Sequence, residues 1–368
     1  MTAEVPSAST ATGSTRAGRI VLVVTLLAGV LAVSFGAGYR SSHAVLADGS
    51  AYLPRGHTVT HVNGETGLPD AELQLARTLA TGKQRLEVVQ TPSGGVYVVN
   101  NDTGEITAID TSRMTPDGSV ARVRSKGKLE VLPAGREVYL VDRERDTVEL
   151  VDPRTLQVRR SQAVPGGIDG AVADRLGVAW VFSRSAGMLL EIHGGSTRRI
   201  HVVARPGARG YLTSIEGAPV LVRPDDDSVV RIQGGSLVTV RAEIPGDREL
   251  VVGQPDATGG ILCVVAGMSR SMLLIDPASG RTRAVPLNAG DNPRFGAPVA
   301  LGGTAYLPHY PSHRVLVVDI ARGKQVGTIP VPGRSVQFST MLRGGKVWFS
   351  DQYERRAVVA DVNGDHET

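Results

Sequence analysis

Short runs of hydrophobic residues alternating with polar ones recur along most of the chain, and each run is broken by a polar turn. The stretch VYVVNNDTGEITAID, which begins at Val96, shows the unit: an apolar strand, a polar loop of about five residues and a second strand that ends in an acidic residue. Alternation with a period of two, bounded by turn-forming residues, is typical of β-hairpins. The pattern therefore predicts an all-β fold built from repeated hairpins.

The hairpin recurs eight times at a nearly constant spacing. When the copies are aligned on their second residue, the successive intervals are 45, 42, 41, 40, 43, 43 and 42 residues. A fixed period of this size indicates a repeat architecture in which each copy is one structural unit. The aligned positions are Tyr52, Tyr97, Tyr139, Trp180, Val220, Cys263, Tyr306 and Trp348.

Further strand-like runs flank each copy. One precedes it after a tight Gly-containing turn, as in LEVVQTPSGG, and a fourth follows most copies, as in RTRAVPL. Four antiparallel strands in about 42 residues correspond to one blade of a β-propeller. We therefore predict an all-β propeller of about eight four-stranded blades. Seven blades remain an alternative, because the eighth copy has three recognisable strands before the sequence ends at Thr368.

One long apolar segment lies outside the repeats. Residues 20–39 contain no charge and are long enough to cross a membrane as a helix. Arg16 and Arg19 precede this segment, which favours a cytoplasmic N-terminus. We predict a cytoplasmic tail at 1–19, a transmembrane signal-anchor helix at 20–39 and an extracytoplasmic propeller at 40–368, held at the cell membrane. A cleaved signal peptide, with a small-x-small site at 42–44, is the alternative.

Composition and charge narrow the function only slightly. The formal net charge of +4 on 368 residues is too small to indicate nucleic-acid binding. A single cysteine, Cys263, excludes an internal disulfide and lies in the apolar run ILCVV, so we expect it to be buried. The sequence contains no Gly-x-Ser-x-Gly, His-Glu-x-x-His or phosphate-binding-loop motif.

The repeats resemble those of the YVTN and NHL families of β-propellers. Units of those families likewise pair a YV-type strand with a strand that ends in an ID-type turn, and the resemblance covers residues 44–363. It implies a propeller fold but no particular function, because propellers have many unrelated functions.

Six of the loops that link one blade to the next carry a basic residue near a glycine or proline. Because these loops meet around the propeller axis, we predict a cationic channel mouth that binds carboxylate or phosphate groups. Solvated surface arginine is the alternative explanation. The candidate residues are Lys83, Lys126, Arg209, Arg248, Arg294 and Arg334.

The loops between the two central strands vary more, as expected of a binding face. His309, Tyr310, His313 and Tyr353 are the candidates there for contact with a protein or a glycan. His309 and His313 share one loop, and His57 and His61 lie in the corresponding part of the first copy. Strand spacing alone does not bring the three or four ligands of a metal site together, so we predict no metal and no cofactor. The acids that end the third strands, such as Asp152, are expected to form turns.

These observations favour a non-enzymatic binding or scaffold module for an envelope component or a partner protein. An enzyme of the virginiamycin B lyase type is the first alternative, because Trp348-Phe349-Ser350 resembles the WFT-like strands of that family. That resemblance implies a histidine base and a carboxylate-held magnesium, and it would require His309 or His313 to lie beside a carboxylate. The second alternative is an extracellular sensor that works with a separate signalling protein.

Overall fold

The computed structural model describes residues 50–367, apart from 56–57, 65, 76–85, 92, 122, 126, 234, 247–249, 255–258, 291, 293, 334–336, 344, 352–356 and 362–365. The described residues form eight antiparallel sheets that follow one another along the chain. Each sheet contains one of the eight aligned hairpins, so the prediction of eight blades is confirmed and the seven-blade alternative is wrong. Within these residues no helix has the length and apolar character needed to span a membrane. The predicted tail and anchor lie outside the described residues.

Blades 1 to 4 occupy the first half of the propeller. Blade 1 contains β1 (Ala51–Arg55), β2 (Thr58–Val62) and β3 (Pro69–Gln74); blade 2 contains β4 (Leu86–Gln90), β5 (Val96–Asn100), β6 (Glu105–Asp110) and β7 (Thr115–Ala121). Blade 3 contains β8 (Leu129–Ala134), β9 (Glu137–Asp142), β10 (Thr147–Val151) and β11 (Val158–Ala163); blade 4 contains β12 (Gly170–Ala173), β13 (Ala179–Ser183), β14 (Met188–His193) and β15 (Ser196–Val202).

Blades 5 to 8 complete the chain. Blade 5 contains β16 (Tyr211–Ile215), β17 (Ala218–Arg223), β18 (Ser228–Gln233) and β19 (Ser236–Arg241); blade 6 contains β20 (Leu250–Val252), β21 (Leu262–Ala266), β22 (Ser271–Ile275) and β23 (Thr282–Pro286). Blade 7 contains β24 (Val299–Leu301), β25 (Thr304–His309), β26 (Arg314–Asp319) and β27 (Lys324–Pro330); blade 8 contains β28 (Ser339–Arg343), β29 (Lys346–Ser350), β30 (Ala357–Ala360) and β31 (His366–Glu367).

The first strand of each complete blade is the inner one. The side-chain amide of Gln254, just after β20, donates to the carbonyl of Thr340 in β28 at 3.4 Å, although blades 6 and 8 are not neighbours. First strands therefore meet near the axis, and fourth strands form the rim. Blade 1 departs from this plan, because β1 carries Tyr52 and so occupies the second-strand position. Its described part has three strands and no inner one.

The two central strands of each blade are apolar on both faces because each blade is packed between two others. All five residues of β5 are buried, whereas the outer strand β11 is mostly exposed. Cys263 lies within β21, where burial raises the pKa of its thiol to about 12. The predicted burial of this cysteine is confirmed.

A left-handed residue explains the constant internal spacing of the hairpins. In six blades the residue seven positions after the aligned one has a φ between 44° and 72°, which closes the loop between the second and third strands. Only two of the six are glycine, and the others bear the cost of a side chain in this conformation. The six residues are Gly104, Asp146, Gly187, Asp227, Arg270 and His313.

Acids at the ends of third strands form the turns to the fourth strands, as predicted. Asp152 Oδ1 accepts the backbone N–H groups of Arg154 and Thr155, both at 3.0 Å. These bonds, joined by one from Arg159, lower the pKa of Asp152 to about 2. Asp276 accepts two backbone N–H groups in the same way. The acids are therefore structural.

The hydrophobic core consists of eight clusters, each shared by two neighbouring blades. The last cluster joins blade 1 to blade 8, where Ala51, Leu53 and Val62 pack against Trp348. The ring therefore closes by side-chain packing between the first and last blades. We call this contact the seam.

Candidate functional site

We call the side of the propeller that carries the blade-linking loops and the loops between second and third strands the loop face. Its described charges are largely paired within single blades. In blade 3, Arg143 donates to Glu130 at 2.7 Å. In blade 5 the order of charges is reversed, and Arg209 Nε donates to Asp225 at 2.7 Å. Each pair joins the start of a blade, at or just before its first strand, to the loop between the second and third strands of the same blade.

The predicted cationic mouth is only partly visible among the described residues. Arg209 is bound to Asp225, and the backbone N–H of Arg209 is the largest cause of the lowered pKa of that carboxyl. Arg294 is exposed, and its carbonyl accepts the backbone N–H of Tyr310. Lys83, Lys126, Arg248 and Arg334 lie outside the described residues. The mouth therefore stays a prediction.

Two carboxylates on the loop face escaped the sequence analysis. Glu87 and Glu130 lie near the starts of the inner strands β4 and β8. Burial, and then the charge of Glu130, raise the pKa of Glu87, while a hydrogen bond from Asn101 lowers it. The shared letters LEV in the two strands were the available signal, but they read as ordinary strand residues. This part of the face carries acidic groups beside the predicted basic ones.

The loop of His309 is organised by internal bonds. The ring of His309 is buried against Phe295, its Nε2 lies 2.9 Å from the carbonyl oxygen of Asn292, and its Nδ1 lies 2.7 Å from the hydroxyl of Ser312. Both ring nitrogens are therefore used. His313 is the left-handed residue of the same loop, with a buried Nδ1 that has no partner among the described residues. No described carboxylate bonds to either ring.

The other loop-face candidates are equally structural where they are described. Tyr310 packs edge-on against Phe338 at 5.4 Å, and burial raises the pKa of its hydroxyl. Tyr353 lies outside the described residues. Asp226 lies 3.6 Å from both Arg205 and Arg223. Within the described part of the chain, no three histidine, cysteine or acidic side chains are placed to hold a metal ion.

A cleft of about 600 Å³ opens at the seam. Its walls are the facing surfaces of blades 1 and 8, where apolar side chains are mixed with polar and charged ones. This is the usual character of a binding pocket. We call it the seam cleft; six of the residues that line it are Leu53, Thr60, Val62, Leu68, Trp348 and Val359.

Trp348 occupies the aligned position of blade 8, and the same position in other blades is hydrogen-bonded. The hydroxyl of Tyr97 donates to the carbonyl of Pro153 in the next blade at 2.9 Å, and that of Tyr306 donates to Asp361 in the same way. Trp180 Nε1 donates to Asp174 at 3.0 Å. Trp348 is 2% exposed, and its Nε1 has no hydrogen-bond partner among the described residues. An unsatisfied buried donor costs about 1–3 kcal/mol, so this N–H calls for an acceptor.

Lys346 bonds the last blade to the first. In the aligned repeats, Gly64 of blade 1 corresponds to Pro153 of blade 3, whose carbonyl accepts the hydroxyl of Tyr97. At the seam the carbonyl of Gly64 accepts the ammonium group of Lys346 at 2.8 Å. This bond adds a polar contact to the packing of Trp348 against blade 1.

The turn between β2 and β3 is also uncovered. In blade 6, a Cβ at Gly280 would overlap the carbonyl of Arg241, because the outer strand of blade 5 lies against that turn. In blade 7, a Cβ at Gly323 would overlap the side chain of Arg283 from the outer strand of blade 6. A Cβ at the equivalent Gly67 would meet no described residue within 4 Å. The described part of blade 8 therefore does not cover this turn as the outer strands of blades 5 and 6 cover the turns that follow them.

The blade 1 side of the seam cleft carries charges of both signs, because Arg55 lines it together with two carboxylates. Glu72 and Asp70 are exposed, and Asp70 also bonds the Nδ1 of the buried His61. His61 packs against the ring of Tyr52, whose pKa is raised to about 12 by burial and then by the charge of Asp70. This region could not be predicted from the sequence, because its features depend on which blades meet when the ring closes.

Comparisons with known proteins place the chain by fold. No model of a known protein family matches it, and no curated protein sequence matches it. Among solved structures it is similar to the dihydro-heme d1 dehydrogenase NirN in complex with DHE (TM-score 0.62, 15% identity, 87% of this chain and 72% of that chain). It is also similar to BamB from Moraxella catarrhalis (0.60, 12%, 84% and 92%) and to virginiamycin B lyase from Staphylococcus aureus (0.56, 12%, 73% and 97%).

At these identities the similarity shows a shared propeller fold and nothing about chemistry. The proteins compared include two enzymes, so they do not separate a binding module from a catalyst. The resemblance to the YVTN and NHL families stays a prediction.

Proposed function

We propose that this chain is a non-enzymatic binding module, anchored in the cell membrane by its N-terminal segment, that holds a partner protein or another envelope component outside the cell. The observation that supports this proposal is the seam cleft. It combines apolar and polar wall groups with a turn at Gly67 that no described residue covers. A cleft with apolar and polar groups in its walls is suited to bind a ligand.

Binding accounts for the described polar groups better than catalysis does. The acids of the turns are held by backbone N–H groups, and on the loop face Arg143 is paired with Glu130 and Arg209 with Asp225. His309 has both ring nitrogens engaged. A general base must be able to accept a proton from a substrate, so a ring in this state is unsuited to that role.

The lyase type remains the second candidate, favoured by the shared propeller fold. It would need His309 to exchange its bonds to Ser312 and Asn292 for a carboxylate and a substrate. An extracellular sensor that works with a separate signalling protein is a special case of the binding proposal. The basic residues of the loop face, with Arg294 exposed among them, would then be a second contact for an anionic partner.

A photo-crosslinking experiment on the full-length chain in native membranes tests the proposal. Benzoylphenylalanine replaces Leu68, a 64% exposed residue at the rim of the seam cleft, or Leu176, an 82% exposed residue on blade 4. We expect a discrete crosslinked product from position 68 and none from position 176, since only the first borders a binding site. Equal labelling from both positions, or none from 68, contradicts the proposal.

A further inference from the structure

We propose that the outer strands of blades 3 to 7 form a second binding surface, which holds an acidic segment of a partner protein that also carries aliphatic side chains. This inference goes beyond the seam cleft, because the surface lies on other blades and does not depend on how the ring closes. We call the surface the basic rim; it consists of β11, β15, β19, β23 and β27.

Charge is segregated around the outer strands of the ring. The basic rim contains seven arginine or lysine residues, all exposed, and no carboxylate, whereas β3 and β7 contain three carboxylates and neither arginine nor lysine. Charged side chains commonly protect exposed strand edges, but a charge of either sign protects an edge. Edge protection therefore does not explain one sign on five consecutive blades. The basic residues are Arg159, Arg160, Arg198, Arg199, Arg241, Arg283 and Lys324.

Some arginines of the basic rim are held in place without losing their charge. Arg160 donates to the carbonyl of Gly194 at 3.2 Å, and Arg283 donates to the carbonyl of Ala321 at 3.1 Å. In both pairs the acceptor belongs to the next blade. A neutral carbonyl does not compensate a positive charge, and a guanidinium has five N–H groups, so donors remain for a carboxylate.

Most charges of the basic rim are not balanced locally. Among the described residues, Asp152 is the only carboxylate that forms an ion pair with it, through Arg159. Arg198 and Arg241 are exposed, and neither guanidinium is bonded to a described residue. Glu243 follows the end of β19 but forms no ion pair with Arg241 within the described part of the chain. The surface therefore attracts anionic groups.

Exposed aliphatic side chains lie among these charges. Ile200 and Val202 of β15 are 53% and 77% exposed, and Val158 of β11 and Val326 of β27 are also exposed. Ile200 and Val202 share one face of β15 with Arg198, because side chains two positions apart point to the same side of a strand. This combination is complementary to a polypeptide in which acidic and aliphatic residues are mixed. An anionic polysaccharide would offer nothing to the aliphatic residues.

The shape of the basic rim favours a flexible segment over a membrane. The five strands belong to five of the eight blades of a closed ring, so the surface curves around more than half of its circumference. A bilayer is flat on this scale and can contact only neighbouring blades of a convex ring. An extended polypeptide can follow the curve and wrap a large surface.

A second copy of the chain is a poor partner for the basic rim. The outer strands of blades 1 and 2 carry the acids that could meet it, but Asp70 bonds to His61, and Asp117 is paired with Arg154. Among the described carboxylates of these two strands, Glu72 alone has no such partner. One free carboxylate cannot balance the charge of the rim, so the acids must come from another protein.

Fluorescence anisotropy tests the proposal with the full-length chain in phosphatidylcholine nanodiscs. The probe is the labelled peptide EVEEVEEVEEVE. Two peptides serve as controls: ESEESEESEESE keeps the charge, and KVKKVKKVKKVK keeps the aliphatic residues. We expect saturable binding of the probe, about fivefold weaker binding of the serine peptide, which loses the aliphatic contacts, and no measurable binding of the lysine peptide, which the rim repels.

Charge variants locate the binding on the rim. Arg198→Gln combined with Arg241→Gln should weaken binding of the probe about fivefold. Arg113→Gln combined with Arg281→Gln removes the same charge from two exposed turns outside the rim and should leave binding unchanged, because charges beyond about 8 Å are screened at physiological ionic strength. All four side chains are exposed, so the denaturation midpoints of both double variants should match that of the wild type.

Aliphatic variants test the other half of the proposed ligand. Ile200→Ser should weaken binding of the valine probe about threefold without affecting the serine peptide. Leu176→Ser makes a similar change at an 82% exposed residue of the same blade, in a turn outside the basic rim, and should affect neither peptide.

Several outcomes overturn the inference. Equal weakening in the two double variants would show attraction to net charge and not to the rim. Displacement of the probe by phosphatidylglycerol vesicles, without displacement by phosphatidylcholine vesicles, would make an anionic membrane the partner. Concentration-dependent self-association that Arg198→Gln with Arg241→Gln abolishes would make a second copy the partner. Each result rejects the acidic segment and leaves the proposal for the seam cleft standing, since that cleft is tested separately by the crosslink from position 68.

Discussion

The interface between blades 4 and 5 and the seam between blades 8 and 1 use the same side chain in the same place with different results. Trp180 is buried between blades 4 and 5, and its indole N–H is bonded to Asp174. Trp348 is buried at the seam, and none of the residues that the structure describes accepts its N–H. Whether the indole N–H is hydrogen-bonded therefore depends on the neighbouring groups and not on the residue type.

The two interfaces also differ at their outer edges, where the turn of blade 5 is bonded and the turn of blade 1 is not covered by any described residue. Arg199 in the outer strand of blade 4 donates to the carbonyl of Gly235 in the turn of blade 5. At the seam, the turn that contains Gly67 has an open approach. In a repeat protein each unit contacts only its neighbours, so the junction of the first and last units is where the pattern can be incomplete. Repetition in the sequence therefore does not ensure that the interfaces between blades are equivalent.

The largest difference in the free energy of unfolding is expected when one methyl group is added to each of two turns, one at the seam and one between blades 5 and 6. Gly67 and Gly280 are both left-handed, with φ of +66° and +75°. Gly67→Ala meets open space and should cost only the backbone strain, about 1 kcal/mol of the free energy of unfolding. Gly280→Ala must also displace the carbonyl of Arg241, so we expect a cost of about 3–5 kcal/mol. Chemical denaturation of both variants measures the difference.

Equal losses in the two alanine variants would mean that the turn at Gly67 is covered in solution. That result would remove the open approach from the description of the seam. A variant at Gly345, which also has a positive φ and nothing within 4 Å, controls for the cost of the backbone conformation alone.

A smaller contrast is expected from the two tryptophans. Each Trp→Phe change removes a similar ring volume, so the difference between them reports the N–H group. Trp180→Phe breaks the bond to Asp174 and should cost about 1 kcal/mol more than the loss of packing, while Trp348→Phe removes an unsatisfied donor and should recover about 1 kcal/mol. Denaturation midpoints of the two variants check this. If Trp348→Phe were the more damaging, the indole would have a partner in the native protein.

Much of the fold could be predicted from the sequence, for a physical reason. Alternation and turn residues are local properties, and the blade is a local unit, so the aligned positions Tyr97 and Tyr139 lie in second strands as expected. The spacing to the next strand is constant because one left-handed residue closes each hairpin loop, and that conformation does not require glycine, as Asp146 and Arg270 show.

The candidate site was less accessible to sequence reasoning. Arg209 was predicted to line a cationic channel mouth. Its side chain is bonded to Asp225, which lies 16 residues away in the central loop of the same blade. No sequence pattern indicates such an ion pair. The seam requires knowledge of which edges meet. In the sequence, Trp348 stood out only as part of a WFT-like strand. That its indole N–H has no partner among the described residues could be learned only from the contacts at the seam.

The smallest contrast compares the two turns that follow the third strands of blades 3 and 1. Asp152 accepts two backbone N–H groups and a bond from Arg159, whereas Asn63 accepts the backbone N–H of Thr66. Replacing either with alanine should cost about 1 kcal/mol at pH 7. Only the contribution of Asp152 should depend on pH, because asparagine carries no charge.

The direction of that dependence follows from the lowered pKa. The pKa of Asp152 in the folded chain is about 2, below the value of about 3.9 of an unfolded aspartate, so its ionised form stabilises the fold. The stabilisation is complete above pH 4 and is lost as the pH falls through about 2. The difference in stability between wild type and Asp152→Asn should therefore shrink below pH 4, while that between wild type and Asn63→Ala stays constant. A constant difference in both cases would show that the charge of Asp152 contributes nothing, and that the turns at the seam and elsewhere in the ring are held by equivalent bonds.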